Sequence, residues 1–333
     1  MPTVCVLGAG SFGTCLAKLC AGAHDVVLWA RDPEVSRAIN RDRRNPRYLT
    51  GFELPPRLRA TSDLEEAVAG RPLVICSVPS HGVRQVVARA ATHLAPEAIL
   101  VSTVKGIEAE TGLTMHQVLA QVLSDAHARR VVCLSGPSFA REIAAGKPTV
   151  VTLAAKDEAD AKYVQRTLSC PTLRCYSNPD VVGVELGGAL KNVIAIAVGI
   201  SDGLELGHNA RAALMTRGLA EITRLGVRQG ASPLTFLGLA GVGDLILTCT
   251  GELSRNRSVG LGLGRGRSLT DILAGMKEVA EGVRTTHAAC TLAQRVQVEM
   301  PIASMVREVL DGVLAPADAV GRLMTRELKS EAH

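Results

Sequence analysis

The chain has 333 residues, of which 47% are hydrophobic and 21% charged, so it is long enough for two domains and can fill a sizeable core. Its net charge of +5 suits anionic small molecules and requires neither nucleic acid nor a membrane as a partner. Aromatic residues make up only 2% of the chain, which argues against a stacking platform for single-stranded nucleic acid.

The cysteines and the apolar segments indicate a cytoplasmic protein. The nine cysteines form no C-x-x-C pair, and several lie inside apolar runs, so we expect reduced thiols. The N-terminus lacks the basic segment of a signal peptide. The longest apolar stretch, 181–200, carries Glu185 and Lys191, and each charge at a membrane centre costs about 2.5–3.5 kcal/mol. We therefore expect a buried helix and no membrane insertion.

The chain opens on an apolar, strand-like run that leads into a G-x-G-x-x-G pattern formed by Gly8, Gly10 and Gly13. In such a pattern the first glycine makes the tight turn, the second lets the backbone approach a pyrophosphate, and the third lets the next helix pack closely. A helical segment, 14–22, and a second apolar strand, 25–30, follow. This context predicts a dinucleotide-binding turn, with the phosphates at the helix N-terminus.

The end of the second strand bears on the choice of cofactor. Arg31 stands where an acid usually binds the ribose 2′-hydroxyl, with Asp32 directly behind it. An arginine here favours a 2′-phosphate, so NADP(H) is the expected cofactor and NAD(H) is left open; the alternative is a solvated arginine. Five further arginines lie within 37–47, where we expect a solvated helix end and loop rather than a nucleic-acid patch.

Further apolar runs, at 73–78, 99–103 and 131–134, are typical of buried parallel strands, and we expect two more strands, at 149–154 and 173–176, to complete the sheet. Helical segments separate them, which predicts an α/β, Rossmann-like doubly wound sheet with right-handed crossovers. Near residue 179 the pattern becomes helical. We therefore predict a dinucleotide-binding domain, 1–178, and an all-helical substrate domain, 179–333, whose tail from residue 329 is frayed.

The first long helix of the second domain combines an apolar surface with Gly187, Gly188 and Lys191. Glycine in a helix interior costs about 1 kcal/mol relative to alanine, so another part of the chain or a ligand must approach closely. Burial would lower the pKa of Lys191 and suit it to acid–base chemistry. The alternative, equally open, is a lysine whose head reaches solvent.

A second cluster contains Asp244 and the sequence Ser254-Arg255-Asn256. Ser254 can cap a helix that continues through Leu261. Arginine and asparagine in the first turn of a helix are suited to binding a phosphate, while an ordinary capped surface helix is the alternative.

The chain resembles NAD(P)-dependent glycerol-3-phosphate dehydrogenase of the bacterial type along nearly its whole length. The matching motifs lie at 8–13, 28–31, 45–49, 105–108, 134–140, 185–192, 241–245, 254–257 and 279–282. Thr50 departs from the family, which often has proline there, and this affects only the loop shape. The resemblance implies an all-α C-terminal domain like that of 6-phosphogluconate dehydrogenase.

The resemblance also implies site residues. The cofactor would contact Gly8, Gly10, Ser11, Phe12, Gly13, Arg31, Lys105, Ala140, Arg255, Val279 and Glu281. The substrate would contact Lys105, Gly136, Ser138, Lys191, Asp244, Ser254, Arg255 and Asn256. Lys191 would be the general base. No metal is expected, since no His/Cys/Asp cluster has ligand spacing.

The implied reaction is the reversible reduction of dihydroxyacetone phosphate to sn-glycerol 3-phosphate, which feeds glycerophospholipid synthesis. Hydride would pass between the substrate C2 and the nicotinamide C4. Two alternatives stay open: another two-domain dehydrogenase, acting on a hydroxy acid such as 6-phosphogluconate or ketopantoate, and a non-enzymatic NADP(H)-binding sensor. The sequence does not give the oligomeric state, and a homodimer is left open.

Overall fold

The first part of the chain forms one eight-stranded sheet in the computed structural model, which describes residues 3–328, 330 and 331. The strand order is β3-β2-β1-β4-β5-β6-β7-β8. The strands are β1 (Thr3–Leu7), β2 (Asp25–Trp29), β3 (Leu58–Thr61), β4 (Leu73–Cys76), β5 (Ile99–Ser102), β6 (Val131–Ser135), β7 (Thr149–Ala155) and β8 (Leu173–Asn178). Of the tail expected to be frayed, residues 329, 332 and 333 lie outside the described part.

The sheet departs from the sequence prediction in two places. Strand β3 was not predicted: it is a four-residue strand in which Arg59 is exposed, so it lacks a continuous apolar run. Strands β6 and β7 pair antiparallel, whereas the other neighbouring pairs are parallel. The segment between them holds only the five-residue helix Ala140–Ala144, which is too short to cross back over the sheet.

Helices cover both faces of the sheet. They are α1 (Ser11–Cys20), α2 (Pro33–Asp42), α3 (Leu64–Val68), α4 (Val83–Ala91), α5 (Met115–Val122), α6 (Asp125–Arg129), α7 (Ala140–Ala144) and α8 (Glu158–Leu168). Val4 and Val6 pack with α1 and α8 on one face, whereas Cys5 and Leu7 pack with α3, α4 and α5 on the other. Because strand side chains alternate in direction, one apolar run can fill both cores.

From Val181 onward the described chain is helical, and the proposed boundary at 178/179 lies between β8 and α9. The helices are α9 (Val181–Gly203), α10 (Gly207–Arg228), α11 (Pro233–Phe236), α12 (Asp244–Thr250), α13 (Arg255–Gly264), α14 (Leu269–Ala274), α15 (Glu281–Arg295), α16 (Pro301–Leu310) and α17 (Pro316–Met324). A π-helical turn, Leu239–Gly243, precedes α12. Helix α9 is buried along almost its whole length and forms the centre of the core of this part.

Helices α9 and α13 touch through their backbones. A Cβ atom on Gly199 would lie 2.2 Å from the carbonyl oxygen of Arg257, and one on Gly260 would lie 2.0 Å from that of Ile196. Real side chains do not fit at such distances, so both helices need glycine at the crossing. The N-terminus of α13 is thereby held at a fixed place beside α9.

Among the described residues, two helical stretches are long and apolar enough to cross a membrane by length and composition alone, Val181–Gly203 and Pro233–Thr250. The first is 94% buried inside the protein, as expected of a core helix. The second is 39% buried and consists of α11, the π-helical turn and α12 in succession.

Candidate active site

The glycine-rich turn has the geometry that a dinucleotide needs. Gly8 has φ +109°, and a Cβ there would lie 2.7 Å from the carbonyl oxygen of Ser77. A Cβ on Gly13 would lie 1.9 Å from the Gly8 oxygen, whereas one on Gly10 would meet nothing within 4 Å. Gly8 and Gly13 therefore allow close packing, and Gly10 leaves room for an incoming group.

Helix α1 begins directly after this turn, at Ser11. Its N-cap, Gly10, makes no side-chain hydrogen bond to the first turn. The N–H groups of that turn thus lack a side-chain cap, and with the positive end of the helix dipole they suit an anion. The turn fits the pyrophosphate of NAD(P)H.

Arg31 lies just beyond β2 and is exposed. Within the described residues its guanidinium has no hydrogen bond or ion pair. Asp32 is engaged elsewhere: it caps α2 by accepting the Glu34 N–H at 2.9 Å, and it pairs with Arg47. Arg31 is thus the residue at this strand end that has a charge to offer a ligand.

A buried carboxylate joins two lysines where the two parts of the chain meet. Asp244, which is 1% exposed, opens α12; its Oδ1 lies 2.5 Å from Nζ of Lys191, and its Oδ2 lies 2.7 Å from Nζ of Lys105. Lys191 also donates to Oγ1 of Thr248 at 2.6 Å. One lysine comes from the loop after β5 and the other from α9, so the sheet and the helical part together build this centre.

Lys191 is only 6% exposed, which excludes the alternative of a head group in solvent. Burial lowers the pKa of Lys191 to about 8; Asp244 works against this shift, and the positive charge of Lys105 adds to it. A group that titrates near neutral pH is suited to transferring protons.

The carboxyl end of β6 meets Lys105, and ligands of doubly wound sheets bind at the carboxyl ends of the strands. Nζ of Lys105 donates to the Gly136 oxygen at 2.9 Å and lies 3.3 Å from Oγ of Ser138. Gly136 has φ +129°, and a Cβ there would lie 3.2 Å from Cα of Val151 in β7. Ala140, two residues after Ser138, opens α7, which packs against the helix that carries Ser11.

The predicted cap of α13 is confirmed, since Oγ of Ser254 accepts the Arg257 N–H at 3.2 Å. Asn256 is tied into the protein: it donates to Oδ1 of Asn192 at 2.8 Å and accepts the Gly282 N–H at 2.9 Å. Arg255, in contrast, is half-exposed. The arginine is therefore more exposed than Ser254 and Asn256, the other polar side chains at this helix end.

The segment 275–281, here named the strap, connects α14 to α15 and reaches the first part of the chain. Glu281 accepts the Ser80 N–H at 3.0 Å and its hydroxyl at 2.5 Å, just beyond β4. Glu278 bonds to the Ser11 hydroxyl and pairs with Arg255 at 3.0 Å. The Val279 oxygen accepts from Arg255 at 3.0 Å. The strap thus brings the predicted residues Ser11, Arg255, Val279 and Glu281 into one network.

Sequence reasoning missed Thr248, Asn192 and Glu278 as members of the site. The spacing of Asp244 and Thr248, four residues apart on a helix, could have indicated that they share a face. Glu278 has no comparable signal, because its partners lie far away in the sequence. Within the described residues, no group of three or more His, Cys, Asp or Glu side chains could hold a metal ion.

Comparison with known proteins gives the same family for both parts of the chain. The profile described as NAD-dependent glycerol-3-phosphate dehydrogenase N-terminus matches residues 3–161, and the corresponding C-terminus profile matches residues 180–321. Curated relatives named glycerol-3-phosphate dehydrogenase (NAD(P)+) include proteins of Syntrophotalea carbinolica, 53% identical, and Geobacter sulfurreducens, 54% identical. Each aligns over 327 residues, which are 98% of both chains.

Solved structures agree with these matches. The glycerol-3-phosphate dehydrogenase of Coxiella burnetii is 38% identical, with a TM-score of 0.93 over 98% of this chain and 99% of that one. A ketopantoate reductase from Ralstonia eutropha is 15% identical with a TM-score of 0.58, over 96% of this chain and 99% of that one, and shares the fold alone. The chain belongs to the NAD-dependent glycerol-3-phosphate dehydrogenase family.

Proposed function

We propose that this chain catalyses the NAD(P)H-dependent reduction of dihydroxyacetone phosphate to sn-glycerol 3-phosphate, and the reverse oxidation. The observation that carries the proposal is the Lys105–Asp244–Lys191 centre, which lies between the carboxyl edge of the sheet and the helical part. When bound, the nicotinamide supplies or accepts the hydride. The residues around it bind, orient and exchange a proton.

Lys191 is the proposed acid–base group. During reduction it gives a proton to the C2 oxygen of the substrate, and during oxidation it takes that proton back. Its 2.5 Å contact with Asp244 and its 2.6 Å contact with Thr248 fix the direction of the ammonium group. A positioned proton donor contributes about a hundred- to ten-thousandfold to the rate.

Lys105 is the proposed second cation. It is 19% exposed in its side chain, so it is nearer to solvent than Lys191, and Asp244 holds it from one side. A fixed positive charge beside the C2 oxygen stabilises the negative charge that develops there. Gly136 and Ser138 orient Lys105 and line the same pocket.

The substrate phosphate binds at the N-terminus of α13. Arg255 supplies a charge-assisted fork, and the N–H groups of the first turn that Ser254 does not cap supply further donors. Since the amide of Asn256 is bonded to Asn192 and Gly282, its main part in binding is to hold this helix end against α9 and α15.

The turn from Gly8 to Gly13 would hold the pyrophosphate of the cofactor, and Arg31 would bind at the adenosine end. NADP(H) is the preferred form and NAD(H) the second, because Arg31 has a charge to offer the 2′-phosphate. Ala140, Val279 and Glu281 would complete the cofactor site. We also propose that the enzyme works in the cytoplasm. A homodimer, which the sequence left open, can be tested by sedimentation analysis.

The decisive experiment follows NADPH oxidation with dihydroxyacetone phosphate and with ketopantoate, and NADP+ reduction with 6-phosphogluconate. We expect turnover with dihydroxyacetone phosphate alone. The Lys191→Met variant should lose about a hundredfold or more in kcat while it still binds NADPH. Turnover of another substrate in preference, or NADPH binding without any turnover by the unmodified chain, would contradict the proposal.

A further inference from the structure

The strap places a carboxylate against the glycine-rich turn. Glu278 accepts a hydrogen bond from the hydroxyl of Ser11, the first residue of α1. The Glu278 side chain is about one-third exposed. The same carboxylate pairs with Arg255, whose Nη1 lies 3.0 Å from Glu278 Oε2 and 3.0 Å from the Val279 oxygen. One acidic side chain therefore joins the start of α1 to the arginine at the start of α13.

Both partners of Glu278 have other anions to bind under the proposed function. The first turn of α1 suits the cofactor pyrophosphate, and Arg255 suits the substrate phosphate. A carboxylate that is bonded to Ser11 stands close to any phosphate seated on the neighbouring N–H groups. Like charges a few ångströms apart repel each other, most strongly in a cleft with little water.

We propose that Glu278 is an anionic gate. Its carboxylate occupies the pyrophosphate end of the turn until the cofactor displaces it, and this displacement releases Arg255 for the substrate phosphate. The gate rests on the proposed function, which makes the turn the cofactor site. It also gives a physical reason for cofactor to bind before substrate, because Arg255 is neutralised by Glu278 until then.

The second carboxylate of the strap explains how the gate can open without release of the whole segment. Glu281 is bonded to the backbone and hydroxyl of Ser80, on a different loop from the glycine-rich turn. It anchors the start of α15 to the first part of the chain while the Glu278 side chain turns away. The movement required is a change of side-chain rotamer, which is fast compared with a domain movement.

The test measures cofactor binding directly. Trp29, the one tryptophan in the chain, is buried at the end of β2, close to the turn, so energy transfer from it to NADPH reports binding. Removing the repulsion should lower the Kd of the Glu278→Gln variant for NADPH by about five- to fiftyfold. Glu252→Gln is the matched control: this exposed carboxylate has no side-chain bond within the described residues, and its Kd should not change.

A second readout concerns Arg255. Calorimetry should show that NADP+ tightens the binding of sn-glycerol 3-phosphate to the unmodified protein. Without cofactor, the Glu278→Gln variant should bind this ligand more tightly than the unmodified protein does. The effect of NADP+ on its affinity for sn-glycerol 3-phosphate should therefore be smaller in the variant. Two results in a Glu278→Gln protein with a normal melting temperature would overturn the proposal. One is an NADPH Kd that is unchanged or higher, and the other is an unchanged effect of NADP+ on the binding of sn-glycerol 3-phosphate. A wild-type protein that binds no NADPH would instead contradict the proposed function.

Discussion

At the scale of single residues, the proposed chemistry depends on how three charges share one buried place. Asp244 offsets only one of the two positive charges beside it, so Lys105 and burial together favour the neutral form of Lys191. The sequence could suggest this lysine from its apolar helix. It could not decide between a buried and a solvated head group, because that depends on Asp244, 53 residues away.

The pKa of Lys191 gives opposite pH profiles for the two directions. Reduction needs the protonated lysine, so its kcat/KM should fall as pH rises through about 8. Oxidation needs the neutral lysine, and its kcat/KM should rise over the same range. Initial rates measured in both directions across this range test the assignment. The same profile in both directions would contradict it.

Arg31 should control the choice between the two cofactors. A hydrogen bond to a charged group is worth about 1.5–3 kcal/mol, so Arg31→Ala should reduce the preference for NADPH over NADH by roughly ten- to a hundredfold. NADH has no 2′-phosphate, and its kcat/KM should barely change. Paired titrations with NADPH and NADH provide the measurement. Equal losses with both cofactors would point to a structural role.

At the scale of elements, α10 holds the start of α16 through one carboxylate. Glu221, which is 2% exposed, accepts the N–H of Ile302 at 2.7 Å and that of Ala303 at 3.3 Å. A side chain from one helix thus caps another, because Met300, the residue before α16, makes no side-chain cap. Burial raises the pKa of Glu221 to about 7.

This raised pKa makes stability depend on pH. The pKa of Glu221 in the folded protein lies above the usual 4.5. The stabilisation that Glu221 contributes is therefore fully present below the pKa of the unfolded state and is lost as pH rises through about 7. Between about pH 5.5 and 8, the free energy of unfolding of the wild type should fall by about 2 kcal/mol relative to Glu221→Gln. Urea unfolding of both proteins at the two pH values measures the difference. A constant difference would contradict the shifted pKa.

The glycine contact between α9 and α13 predicts a contrast between two alanine substitutions. Gly260→Ala would place Cβ 2.0 Å from the Ile196 oxygen, so it should destabilise the protein by about 1–3 kcal/mol and lower kcat/KM by moving the N-terminus of α13. Gly321→Ala, in α17, meets nothing within 4 Å and should stabilise by up to about 1 kcal/mol. Melting temperatures that change alike would contradict the packing argument.

The elements were predictable to different degrees, for physical reasons. The strands other than β3, together with α9, follow from apolar runs and helical periodicity, and their positions are confirmed. Strand β3 and the antiparallel pairing of β6 with β7 depend on neighbours in space, which a local pattern does not contain. The strap carries little periodicity, so its contact with the glycine-rich turn could not be derived from the sequence.

At the scale of the whole molecule, Asp244 links the sheet to the helical part. Lys105 belongs to the first and Lys191 to the second; the Lys191 salt bridge is buried, and the Lys105 salt bridge is partly buried. Removing one partner of such a network leaves charges that are buried and uncompensated, which costs more than the pair itself contributes.

The Asp244→Asn variant should therefore lose about 3–5 kcal/mol of stability, because two lysines then face each other without a counter-charge. Adding Lys105→Met should restore part of this loss, since it removes the repulsion. Denaturant unfolding of the single and double variants measures both effects. If Asp244→Asn loses less than about 1 kcal/mol of stability, or if adding Lys105→Met lowers the stability further, Asp244 is not what links the sheet to the helical part.

The glycine crossing of α9 and α13 also sets a limit on redesign. Lys191 projects from one of these helices and the proposed phosphate-binding end belongs to the other, so backbone contact, not side-chain rotamers, fixes the distance between Lys191 and that end. Exchanging side chains in the pocket can alter charge and affinity, but it cannot lengthen this span. An enzyme that accepts a longer carbon chain between carbonyl and phosphate would need a shifted helix. Selection experiments confined to pocket side chains should therefore yield weaker catalysts for the same three-carbon substrate, not new chain-length specificity.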